Sequence, residues 1–307
     1  YTFDKYLTKK NSEILSLNII SKKKIDLKLI NHLNAIEKVY MHGRFILGPE
    51  ISELEDNLCE LTNRKYCVTA SNGTMSLFIS LLALARQCSN KKEVILPAYG
   101  WIASANAIKA AGLQPVFADI DPNTFNISTD SILKCLSKYT KAIMAVDIFG
   151  QSCDIHKIMN IANTHDLKVI TDTAQAPGAL CGDRKTGTLS DVGGFSLNYH
   201  KHVHTGEGGI LVTENDDYCQ RLQLIRNHAE AVAKDMPNIN LKNLLGYNFR
   251  MGEIEAAIGI EQIKKLDKIV ESRQKAAKIL TNFLKQLPGI KTPHVDQDNS
   301  HSYYAYP

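Results

Sequence analysis

The sequence has little that would commit it to a membrane, a disulfide scaffold or a nucleic acid. No apolar run reaches the roughly 18 residues needed to cross a bilayer. The longest, near residues 77–85, reads as a buried helix. The seven cysteines (Cys59, Cys67, Cys88, Cys135, Cys153, Cys181 and Cys219) form no C-x-x-C pair, so neither a zinc knuckle nor a disulfide framework is indicated. Thirty-six basic residues against 32 acidic ones leave a net charge of +4, too small a surplus to argue for nucleic acid. The opening YTFDKYLTKKNSE lacks a basic-then-apolar signal segment. Together these absences predict a soluble protein of the reducing cytoplasm. There is no initiator Met, and the chain stops on the β-prone HSYYAYP, so both ends read as trimmed, with the stop falling inside a second domain.

Repeats and low-complexity blocks are absent too. What is present is alternation. β-rich runs at 66–69, 93–96, 115–117, 142–146, 168–171, 194–197 and 209–213 are mostly separated by helical patterns such as 74–86, 104–110 and 154–165. Strands alternating with helices predict βαβ units and an α/β fold with a mostly parallel sheet. Helical spacing over 27–59 is interrupted at Gly43 and at Gly48-Pro49. From about 238 the pattern turns helical, and 253–285 reads as one or two amphipathic helices with Ile254, Ala257, Ile260 and Leu266 on the apolar side. At 307 residues one large or two smaller domains are expected, divided as 1–230 and 231–307.

In such sheets ligands sit beyond the carboxyl ends of the strands. Ser71-Asn72-Gly73-Thr74 follows the first strand and opens a helix, whose free N–H groups suit a phosphate. A cap by Ser71 or Thr74 with no ligand is the plain alternative. Trp101, the single tryptophan, follows the second strand, where its face could stack on a flat ring or simply fill the core. Asp172 follows the fifth strand as a semi-buried carboxylate in need of a cation or donors; a protonated ring nitrogen, a salt bridge or a cap would each serve. Lys201 lies between a strand and a glycine-rich turn, where desolvation and the neighbouring His200 and His202 would lower its pKa toward the free amine of a Schiff base. His200, His202 and His204 alternate and would share one face of a strand, as in a metal triad, but no second carboxylate is identifiable and no metal is expected. Asn248, in Gly246-Tyr247-Asn248-Phe249-Arg250, is presented outward or sits in a left-handed turn. Phosphate cradle, stacking aromatic, acid and lysine in this order are the parts that pyridoxal phosphate needs.

These blocks, with Gly43-Arg44-Phe45-Ile46-Leu47-Gly48-Pro49, Phe117-Ala118-Asp119-Ile120-Asp121, Phe149-Gly150-Gln151, Asp172-Thr173-Ala174-Gln175 and Thr205-Gly206-Glu207-Gly208-Gly209, make the sequence resemble the DegT/DnrJ/EryC1/StrS aminotransferases. That family is the nucleotide-sugar branch of the fold-type-I pyridoxal-phosphate enzymes. The resemblance implies a large domain with a mostly parallel sheet and a smaller C-terminal α+β domain, here cut short. It puts Lys201 at the Schiff-base position, with Thr205-Gly206-Glu207 fixing the register. Asp172 would pair with the pyridinium nitrogen and Gln175 with the ring hydroxyl. Gly73, Thr74 and Ser196 would contact the phosphate, and Trp101 would stack on the ring. Asn248 would reach the phosphate site of a neighbouring subunit in a homodimer. The implied reaction carries an amino group from L-glutamate to a keto sugar on a nucleotide diphosphate, for a surface polysaccharide or natural product. A pyridoxal-phosphate sugar dehydratase, as in relatives with His in place of the lysine, and a non-catalytic regulator on the same scaffold are the alternatives. Arg44, Arg250 and Lys185 are candidate anion contacts.

Overall fold

Short runs of β-branched and aliphatic residues, buried on both faces in all but the edge strand at 114–118, make the centre of the fold a parallel sheet rather than a one-sided one. The computed structural model describes residues 27–85, 90–230 and 244–307. In it the order is α1 (Leu27–His42), α2 (Pro49–Thr62), β1 (Tyr66–Ala70), α3 (Gly73–Ala85), β2 (Glu93–Pro97), α4 (Ile102–Ala110), β3 (Gln114–Ala118), α5 (Thr129–Cys135), β4 (Thr140–Val146), α6 (Ile155–Thr164) and β5 (Lys168–Asp172). There follow a small hairpin, β6 (Leu180–Cys181) and β7 (Arg184–Lys185), then β8 (Val192–Ser196), β9 (Gly209–Thr213), α7 (Asp216–Arg226), α8 (Glu253–Ile263) and α9 (Leu266–Leu284).

Seven strands form one sheet in the order β1-β9-β8-β5-β4-β2-β3. All run parallel except β9, which is antiparallel to both of its neighbours. The carboxyl ends of β1, β2, β4, β5 and β8 therefore meet at one edge. All seven expected runs are strands of this sheet; β8 sits two residues earlier than its apolar pattern suggests, and the β6–β7 hairpin has no apolar signature. On one face α3, α4 and α7 pack over Val68, Leu96, Met144, Ile170 and Leu211. On the other, α5 and α6 cover Ile95, Ile143 and Val169, while α2, α8 and α9 cover Cys67 and Val212. The run at 77–85 is the buried helix α3, with Ile79 and Leu81 essentially inaccessible.

The interruptions at Gly43 and Gly48-Pro49 separate α1 from α2, and 253–285 divides at Lys264–Lys265 into α8 and α9. A carboxylate from α8 closes the start of α2. Glu253, fully buried, accepts the N–H groups of Gly48, Glu50 (2.8 Å) and Ile51 (3.0 Å). Gly48 is glycine because a Cβ there would lie 2.9 Å from Cδ of Glu253. The proposed domain boundary at 230/231 abuts residues 231–243, and Cys88 and the first 26 residues likewise lie outside the described residues.

The last segment does not form the strand its β-prone composition suggests. It is an irregular strap with isolated bridges, Cys181 to Asn299 and Gln151 to His301. Ser302 N–H donates to Gly150 O (2.8 Å) and Ala305 N–H to Phe149 O (3.2 Å). Gly150, at φ +113°, has no room for a side chain, since a Cβ would stand 2.7 Å from the Tyr303 nitrogen. The strap returns the end of the chain to the carboxyl edge of the sheet.

Candidate active site

At that edge lies a cavity of 640 Å³ whose walls include Gly73, Thr74, Trp101, Asp172, Gln175, Ser196 and Lys201. Seven of the eight residues expected from the sequence thus converge, from the ends of β1, β2, β5 and β8. Asn248 is the exception. It is exposed, it bridges to Asn227, and it is not in the wall. Nor is it left-handed, so the turn reading is excluded.

The β1–α3 turn is capped by Asn72, not by Ser71 or Thr74: its Oδ1 accepts Met75 N–H at 2.9 Å. A Cβ on Gly73 would stand 2.7 Å from Cβ of Ser196, so only glycine brings the helix start against the β8 end. The result is two hydroxyls, Thr74 and Ser196, beside the amino end of a helix, a donor set that fits a phosphate. Trp101 immediately precedes α4 and is 72% exposed, which rules out a core role.

Asp172 ends β5 and is buried. Its Oδ2 accepts the Ser104 hydroxyl (2.7 Å) and its Oδ1 the Ala174 N–H (3.2 Å). Burial pushes its carboxyl up, against the pull of these donors and of the Lys201 charge. A buried carboxylate facing a cavity fits a protonated ring nitrogen. Beneath it Asp147 accepts Thr173 Oγ1–H (2.7 Å) and Cys153 N–H (2.9 Å); burial raises it to about 6. Gln175 Oε1 accepts Phe149 N–H at 2.7 Å, which commits the amide oxygen and leaves its NH₂ as the group to meet a ring oxygen.

Lys201 is half-buried, and burial lowers its pKa while Asp172 opposes the shift. The expected desolvation is the main cause, but His202 is not the expected neighbouring cation: it is a neutral ring, held by burial at about 4. The three alternating histidines fall in a turn between β8 and β9, not on a strand face. His200 lines the cavity, His202 is buried with Nε2 on Ser302 O (2.8 Å), and among the described residues no group of three metal-ligating side chains gathers. Arg44 is exposed, Arg250 donates to Asn227, and Lys185 lies 3.8 Å from Asp267; none lines the cavity. No motif or periodicity points to Tyr304, which the strap carries into the wall.

His202 and His301 make the strap acid-labile. Both are buried and held neutral down to about 4, against 6.5 when free. Because the unfolded chain binds these protons first, their contribution is complete above pH 6.5 and is lost as the pH falls from 6.5 toward 4. The expected loss is on the order of 2–3 kcal/mol for each. Thermal unfolding from pH 7.5 to 4.5 checks it: the double variant His202→Asn, His301→Asn should show a flatter Tm profile, and an equally steep one refutes the assignment.

A parallel sheet with one reversed strand, a lysine beyond β8, a buried acid beyond β5 and a helix-start anion cradle define a pyridoxal-phosphate enzyme of fold type I. The pattern of the DegT/DnrJ/EryC1/StrS aminotransferase family matches residues 29–307, and the chain belongs to that family. It is 34% identical over 265 residues to GDP-perosamine synthase of Caulobacter vibrioides, covering 86% of this chain and 68% of that one. Among solved structures, DesV of S. venezuelae superposes with a TM-score of 0.84 at 27% identity, over 90% of this chain and 73% of the other. A GDP-4-keto-6-deoxymannose-3-dehydratase holding a trapped PLP–glutamate geminal diamine gives 0.82 at 28%, over 90% and 75%. The chain is an aminotransferase-family enzyme, and its cofactor is pyridoxal phosphate.

Proposed function

We propose that the enzyme moves the amino group of L-glutamate to a keto sugar carried on a nucleotide diphosphate. The observation that carries this reading is a pair in the cavity wall: half-buried Lys201, whose amine burial shifts toward its neutral form, and buried Asp172, with two donors and one facing charge. When bound, the cofactor supplies an aldehyde that carries the amino group and a ring that accepts carbanion charge.

The chain's own residues do the rest. Gly73 and Thr74 at the helix start, with Ser196, bind the phosphate. Trp101 fixes the ring plane, and Gln175 donates its amide N–H to the ring hydroxyl. Asp172 keeps a proton on the ring nitrogen. Lys201 Nζ would hold the cofactor through its aldehyde carbon until the amino donor takes its place, and the freed amine would then take the proton from Cα of the donor and hand it to the former aldehyde carbon. Asn248 serves the phosphate site of a second copy. Its exposure supports that role, as do the exposed apolar side chains of Tyr40, Met41, Phe45 and Ile46.

The test is a two-stage titration of the loaded enzyme. Glutamate should convert the bound aldehyde absorbance to the amine form, and a nucleotide-linked keto sugar should reverse it; no spectral change with glutamate would overturn the donor. The dehydratase relative supports a second reading, in which the sugar loses a hydroxyl. A product that gains nitrogen supports transamination, and one that loses water without gaining nitrogen supports dehydration. Retention of Lys201, where dehydratases carry His, favours the first.

A further inference from the structure

Tyr304 belongs to no expected motif, yet its ring lies in the cavity wall with the Lys201 amine 4.5 Å from its centroid. Among the described residues no hydrogen bond or ion pair engages that amine. The ring is held there by unusually many anchors for an irregular segment. Arg273 Nη1 donates to the carbonyls of Tyr303 (2.9 Å) and Tyr304 (3.3 Å). Gln274 Nε2 donates to His301 O (3.1 Å), and His202, the residue after the lysine, binds Ser302 O (2.8 Å). Ser302 and Ala305 pair with the 149–150 turn on the other side of the ring's own residue. Both ends of the contact are therefore tied to each other: the histidine beside the lysine fixes the strap that presents the tyrosine.

From this geometry we infer that Tyr304 is a positioning residue whose ring face holds the Lys201 ammonium over the cavity whenever that amine is not bonded to a carbonyl. The inference rests on the proposed role of Lys201 for its meaning in the reaction. A lysine that accepts a proton from substrate Cα becomes a cation in a site that burial makes hostile to cations. A π face stabilises that cation without offering a hydrogen bond that would tie up the lone pair once the proton has moved on. An Asp or Glu in the same place would hold the proton too firmly. The ring also keeps the long side chain over the cavity, which limits its rotamers between release and return.

The test separates ring from volume. Tyr304→Phe keeps the π face, Tyr304→Leu keeps bulk without it, and Tyr304→Met is a second non-aromatic replacement should the leucine variant fold poorly. First, the cofactor-free proteins are treated with formaldehyde and a mild borohydride at pH 7, and methylation of Lys201 is followed by peptide mass spectrometry. Asp172 and His202, which interact electrostatically with the amine, and His200 and Glu207, which share its cavity, are the same in every variant. The expected result is labelling of the Phe variant within about twofold of the parent. The Leu and Met variants should label about 5- to 30-fold faster, the range a desolvated cation–π contact supports. Second, the loaded enzymes are converted with α-deuterated glutamate: the isotope effect should rise in Leu and Met and stay put in Phe. Equal labelling of all variants, or a Phe variant that behaves like Leu, overturns the inference. A labelling difference with no glutamate conversion leaves Tyr304 holding the lysine and instead refutes the proposed function.

Discussion

Replacing Lys201 by Ala gives a folded protein that binds pyridoxal phosphate through its phosphate but transfers no amino group, a loss on the order of 10⁴-fold or more. The fold survives because Lys201 is only half-buried and lies in a turn whose backbone is fixed elsewhere: its own N–H donates to Asn198 O (2.8 Å), and Leu197 and Thr205 pair with each other across it. The cradle survives because Gly73, Thr74 and Ser196 are untouched. What goes is the amine proposed to bond the aldehyde and then shuttle a proton. Lys201→Arg should fail as fully, since a guanidinium keeps the charge but neither adds to a carbonyl nor gives up its proton. Single-turnover conversion with glutamate is the measurement, and partial rescue of the Ala variant by added small amines is the positive control. Turnover within tenfold of the parent would remove Lys201 from the reaction.

The second large effect lies far from the chemistry. Glu253→Ala should destabilise the protein by roughly 3–5 kcal/mol, because it strands buried N–H donors at the start of α2. The N–H groups of Gly48, Glu50 and Ile51 point at that carboxylate and at nothing else that could replace it, and Glu253 N–H in turn donates to Phe45 O (3.0 Å). The negative charge also sits against the positive end of the α2 dipole. Burial raises the carboxyl, and the N–H donors counter that rise. Glu253→Gln keeps an acceptor oxygen but turns an NH₂ toward the donors, so it should fall between parent and Ala. Urea midpoints of the three proteins decide it; an Ala variant within about 1 kcal/mol of the parent would mean that water satisfies the helix start.

The two halves of this molecule were not equally legible. The sheet could be read because most of its strands are short, doubly buried apolar runs, and the residues after the strands could be read because phosphate, ring and carbonyl chemistry demand particular side chains there. The register against Thr205-Gly206-Glu207 points to Lys201, which lies in the cavity wall. The alternating histidines would share a face only in a strand, whereas Asn198 and Gly206 close a turn across those positions. Capping by Asn72 was missed because three adjacent residues could each serve, and only backbone geometry chooses among them. Glu253 and Tyr304 were out of reach for another reason. Glu253 acts on a residue 205 positions earlier, and Tyr304 acts through a strap whose course is set by Arg273, Gln274 and Gly150. Local periodicity carries no information about such partners.

The reversed strand has a consequence for how the protein is made. Among the described residues β1 bonds to β9 alone, so this strand has no sheet partner until residues 209–213 have also emerged from the ribosome. At about 5–20 residues per second that is a wait of roughly 7–30 s, during which Val68 and Ala70 have no native cover from the sheet. The nascent chain must therefore carry an open apolar edge while about 140 residues are added, which makes this strand a natural stretch for chaperones to shield.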